Sequence, residues 1–158
     1  MTMNNMIFEQ VEAIDDMQEV IKNTFDVELN ITGGWGYDNN TAVIANNIDM
    51  PTEQFVHMFA TIRANIEMNL MVENSDERFS GINVNFEENK EFEIDKKVYQ
   101  IFTFKITAMN EKIYAELIQE YKDNYGKKEF DLSAHFKRRE QITISRVVDY
   151  WFYGLKEN

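Results

Sequence analysis

The sequence predicts an α+β fold in a single domain spanning residues 1–158, with an antiparallel sheet of about five strands covered by about four helices. Three observations predict it. Apolar residues recur at helical spacing in four stretches, other short runs alternate apolar with polar residues, and most of the strand runs are sequential neighbours joined by short connections, which favours antiparallel pairing. The expected order is α-β-β-α-β-β-β-α-α. Hydrophobic residues make up 44% of the chain, and one proline and six glycines leave little room for a linker or a low-complexity tract.

The first helix is expected over residues 7–25, where Ile7, Val11, Ile14, Met17, Ile21 and Phe25 fall within about 60° either side of one direction. Val27, Leu29 and Ile31 then alternate with polar residues, and residues 41–46 pair back on them through the glycine-rich Gly33-Gly34-Trp35-Gly36-Tyr37-Asp38 connection. Pro51 and Thr52 open a second helix reaching to about Glu73, with Phe55, Phe59, Ile62, Ile66 and Leu70 as its main stripe. Its opposite side carries Glu53, His57, Ala60, Ala64, Met68 and Met71, so it is apolar on two sides.

Beyond it, residues 82–86, 92–94 and 98–107 read as a three-stranded meander, with the polar run Glu87-Glu88-Asn89-Lys90-Glu91 turning the chain. A third helix is expected from about Asn110 to Tyr125, closed by Gly126 as a left-handed cap, followed by a short strand at residues 129–132. The last helix is placed at about residues 140–155, burying Ile144, Val147, Val148, Trp151, Phe152 and Leu155.

Charge is uneven. Residues 1–80 hold 14 acids against 3 bases, and residues 81–158 hold 14 against 13, for a formal net charge of −12. Such a chain repels phosphate backbones and anionic membranes and steers basic partners toward its acidic half. Without cysteine there is no disulfide, thiolate metal site or cysteine nucleophile, which suits the cytoplasm. The start of the chain lacks a basic n-region, and no apolar run approaches the ~18 residues that cross a bilayer.

The candidate partner surface is the polar side of the first expected helix, where Glu9, Glu12, Asp15, Asp16 and Glu19 share a sector holding no base. A solvated face is the simpler account of these acids; a docking surface for a basic protein partner is the sharper one. Trp35 and Tyr37, at the tip of the glycine-rich loop, join that surface unless the loop folds back on the sheet. The leading functional expectation is therefore a small acidic, non-enzymatic binding protein of inhibitor or immunity type. The alternatives are a small-molecule binding domain or hydrolytic enzyme with its pocket between the sheet and the second helix, using Glu53 and His57, and a homo-oligomer joined through that helix.

No cofactor is expected. The glycine-rich loop matches neither phosphate-binding fingerprint and leads into a strand. No metal is expected either, because Ala42 occupies the third liganding position of a calcium loop begun by Asp38 and Asn40, and the histidines lie far apart. Lys137-Arg138-Arg139 with Arg146 is a weak nucleic-acid signal that the chain's own acids can absorb.

Overall fold

The computed structural model of the protein describes residues 8–11 and 16–155. It is α+β, and the described residues form four α-helices and one five-stranded sheet. The elements are α1 (Met17–Phe25), β1 (Ile31–Gly33), β2 (Val43–Ala45), α2 (Thr52–Asn65), β3 (Phe79–Ile94), β4 (Lys97–Asn110), α3 (Glu111–Asn124), α4 (Leu132–Ile142) and β5 (Thr143–Tyr153). The sheet order is β1-β2-β5-β4-β3. It is mixed and not purely antiparallel as expected, because β5 runs parallel to β2 while the other neighbours are antiparallel.

The largest departure from the expected order lies at the C-terminal end, where residues 143–153 form the strand β5 in place of a helix. Its residues Thr, Ile, Val, Val, Tyr, Trp, Phe and Tyr are strand formers, and the alternation is real: Ile144, Tyr150 and Phe152 are buried, whereas Val147 is 62% exposed. The apolar positions of this segment fit a period of two as well as the helical period, and the parallel pairing with β2 selects the former. The short strand expected at 129–132 is also absent. Asp131 instead caps α4, its carboxylate accepting the Ala134 N–H at 3.0 Å.

The expected meander is one long hairpin. The run Glu87 to Glu91 continues β3, and the chain turns at Asp95 and Lys96, which hold left-handed φ values of 51° and 68° between Ile94 and its partner Lys97. Polar residues are compatible with this stretch of strand because β3 is the sheet edge, and Glu87 to Glu93 are all exposed.

The first helix is shorter than expected. Residues 8–11 are not helical, and α1 begins at Met17 because Asp16 caps it, accepting the Gln18 N–H at 3.0 Å. The core lies between α2 and one face of the sheet, with the Phe55 and Phe59 rings 5.9 and 5.7 Å from that of Phe152. α2 runs on into a π-helical turn, Ile66–Leu70, in which the Met71 N–H reaches the Ile66 carbonyl at 2.9 Å. The extra residue in that turn shifts the helical phase. Leu70 is therefore 54% exposed, against the expectation that it continues the stripe, while Glu67 and Met68 point inward.

Candidate functional site

Where α2 begins, it leaves the far end of the β3–β4 hairpin uncovered. The gap is a pocket of about 630 Å³ walled by Thr52, Glu53, Val56 and His57 from α2, Phe86, Asn89 and Glu91 from β3, and Gln100, Phe102 and Phe104 from β4. Cross-strand register places Phe86 beside Phe104, Asn89 beside Phe102 and Glu91 beside Gln100. Phe86 and Asn89 are three positions apart and would face opposite ways on a regular strand. A bulge between Phe86 and Glu88 inserts the extra residue that turns both toward the helix.

The floor of the pocket is aromatic. The Phe86 ring lies 5.9 Å from Phe104 at 70° and 6.3 Å from Phe102 at 52°, so the rings form a concave surface. Phe102 and Phe104 are buried, whereas Phe86 is 58% exposed. His57 closes one side, its ring 6.2 Å from that of Phe104. Its Nε2 donates to the Val84 carbonyl at 2.9 Å, and because a carbonyl only accepts, the neutral ring carries its proton there and keeps Nδ1 as acceptor. Glu53 and His57 thus line one pocket between α2 and the β3–β4 hairpin.

A second constellation, buried within the core, was not picked out from the sequence. The Arg63 side chain is fully buried, its guanidinium carbon 3.7 Å from the Tyr150 ring centroid and 4.1 Å from that of Tyr37. It donates to the Trp35 carbonyl at 3.0 Å, and its Nε lies 3.4 Å from Glu67 Oε2. Glu67 also accepts from Tyr37 Oη at 2.5 Å and from Arg146 at 3.1 Å. Burial first, and then the Glu67 carboxylate, pushes the Tyr37 hydroxyl well above the usual tyrosine range; burial likewise pushes Tyr150 up to about 12. This network ties α2, β5 and the loop after β1 together. A charged residue at i,i+4 from another, here Arg63 and Glu67, is a visible signal, but nothing short of the fold tells that both are buried.

The residues expected to form a partner surface are dispersed. Trp35 is 2% exposed, and its ring stacks on Phe59 at 5.9 Å. The loop folds back because Gly33 and Gly36 take left-handed φ, and a Cβ at Gly33 would meet the Ala42 carbonyl oxygen at 2.4 Å. Tyr37 is half-buried, its hydroxyl accepting the Val11 N–H at 2.8 Å. Neither residue is a loop-tip contact. Glu9 borders a groove of about 990 Å³ with Glu67, Glu73 and Glu77. Asp16 and Glu19 border a separate one with Glu28 and Asp49, beside the Lys22–Glu28 ion pair that lowers the Glu28 pKa. Glu12 and Asp15 lie outside the described residues. Among the described acids, Glu9 precedes the helix, Asp16 caps it and Glu19 lies on its first turn, so these three do not share one helical face.

The arginines of the basic cluster are engaged within the chain. Arg138 pairs with Glu120, Arg139 lies 5.6 Å from the Tyr114 ring centroid, and Arg146 pairs with Glu67. Among the described residues no helix is long and apolar enough to cross a membrane, and no group of three His, Asp or Glu side chains converges to hold a metal ion. Compared with family models, with curated proteins and with solved structures, the chain matches none of them.

Proposed function

We propose that this is a non-catalytic binding protein whose ligand is a small organic molecule held between the start of α2 and the β3–β4 hairpin. The observation that carries this reading is the pocket itself: an aromatic floor of Phe86, Phe102 and Phe104 under a polar rim of Glu53, His57, Asn89, Glu91 and Gln100. Ligand sites are concave, mostly apolar and oriented by a few polar groups. The exposed Phe86 ring supports the same reading, because a ligand in the pocket would cover it. The roles follow from position. The phenylalanines supply contact area, and the rim groups fix orientation.

The test is a screen of small aromatic and aliphatic compounds by thermal shift, with hits mapped by amide chemical shifts. Hits that move His57, Phe86 and Gln100 amides and are lost in Phe86→Ala support the reading. Hits that map only elsewhere on the molecule overturn it.

A second reading, the docking of a basic protein partner by an inhibitor-like or immunity-like protein, is favoured by the 990 Å³ groove, whose lining includes Glu9, Glu73 and Glu77, besides a Glu67 already paired with Arg63 and Arg146, and no lysine or arginine. Its association rate should then fall as salt shortens the Debye length to ~8 Å at physiological ionic strength, and a Glu73→Gln/Glu77→Gln variant should lose that dependence.

A further inference from the structure

The lysines of strands β3 and β4 share one face of the sheet, which also carries Glu88, the cross-strand partner of Thr103. Lys90 is the cross-strand partner of Ile101 and Lys105 that of Val147, and the Lys97 ammonium lies 6.0 Å from the Tyr153 ring. These positions belong to the sheet face turned away from α2. Glu91, beside Gln100, faces α2, where Glu53 from the helix joins it. The pocket between helix and hairpin therefore carries two carboxylates and no lysine or arginine. Phe86, 58% exposed, is the ring most open to the pocket, standing at 52° and 70° to the buried Phe102 and Phe104 rings that line it.

We infer that the ligand of this pocket is an organic cation, an ammonium group on an apolar body, with Phe86, Phe102 and Phe104 against the body and ammonium flank and Glu53 and Glu91 as counter-charges. The inference rests on the pocket being the ligand site proposed above. Aromatic faces attract cations through the ring quadrupole, and that attraction grows when the cation is desolvated against them. A metal ion is the poorer fit. Its carboxylate ligands would have to converge on one point, and among the described residues no such group exists. Here the acids come from different elements, as suits a larger, diffuse charge. An anion is disfavoured by both carboxylates.

The experiment compares three probes of similar size on the full chain: phenyltrimethylammonium, its uncharged isostere tert-butylbenzene, and the anion phenylacetate. Binding is followed by amide chemical shifts and titration. The expected result is that phenyltrimethylammonium shifts the His57, Phe86 and Gln100 amides and binds about tenfold or more tightly than tert-butylbenzene, with phenylacetate weakest. Glu53→Gln/Glu91→Gln should erase that preference while leaving binding of the uncharged isostere in place. Both carboxylates are exposed, so the fold tolerates the change. Equal or tighter binding of tert-butylbenzene or phenylacetate at the same amides would overturn the cation inference and leave the pocket reading standing. Failure of all three probes to move those amides would overturn the pocket reading, and the inference with it.

Discussion

Arg63 lies against Tyr150 inside the core, the guanidinium carbon 3.7 Å from the ring centroid and the side chain without exposure to solvent. One buried carboxylate, Glu67, serves both this arginine and Arg146. A buried ion pair is weak evidence of net stability, but removing one partner strands the other. Arg63→Ala and Glu67→Ala should each destabilise by ~3–5 kcal/mol in urea denaturation, and the double variant should lose far less than the sum. Additive losses would show that the residues act separately.

The same network makes an alkaline prediction. The folded Tyr150 pKa, about 12, lies above the ordinary tyrosine value of 10.0, so the folded state holds its proton longer than the unfolded chain. This contribution is fully present below pH ~10 and is lost as pH rises through the folded pKa, on the order of 2–3 kcal/mol in all. Tyr37 shifts in the same direction. Unfolding free energy measured from pH 8 to 12 should therefore be level at first and then fall. Tyr150→Phe should flatten the fall in part, and an unchanged slope would assign it to other groups.

Asp16 separates the expected reading of the first acidic segment from the observed one. On a continuous helical face it would only repel its neighbours; as the N-cap of α1 it accepts the Gln18 N–H and sits at the positive end of the helix dipole. Asp16→Ala should cost about 1 kcal/mol by thermal or chemical denaturation, and Asp16→Asn distinctly less. A gain in stability from Asp16→Ala would restore the repulsion account.

The elements with one dominant period were legible in the sequence. α2 opens at Thr52 after Pro51, β1 and β2 pair antiparallel as expected although β1 is confined to Ile31–Gly33 and does not take in Val27 and Leu29, and Asn110 caps α3 through the Ile113 N–H. What was not legible depends on partners distant in sequence. Whether residues 143–153 are helix or strand turns on β2 and β4, which receive them on either side. Glu53 and His57 were visible as a pair on α2, but the aromatic floor opposite them was hidden, because the polar run from Glu87 reads as a turn unless the hairpin is known to project into solvent. The bulge that aims Phe86 and Asn89 at the helix leaves no signature of its own. Arg63 and Glu67 carried no expectation, because the side chains that surround them, Tyr37, Tyr150 and Arg146, come from elements distant in sequence.

The two tryptophans give a direct test of that difference. The sequence places Trp151 on the buried stripe of a helix and Trp35 at a loop tip. In the fold Trp35 is 2% exposed, stacked on Phe59, with its carbonyl held by Arg63, whereas Trp151 lies on the face of β5 turned away from α2 and is only partly buried against Phe92 and Tyr99. Trp35→Ala should therefore leave a cavity in the main core and cost ~3–5 kcal/mol, a large share of a total stability on the order of 5–15 kcal/mol. Trp151→Ala removes contacts from a layer already open to water on one side, so its loss should be clearly smaller. The substituted chains should be compared by urea denaturation with tryptophan fluorescence from the remaining ring. A larger loss at Trp151 than at Trp35 would contradict the placement of the glycine-rich loop against α2, and with it the link that loop makes to Arg63.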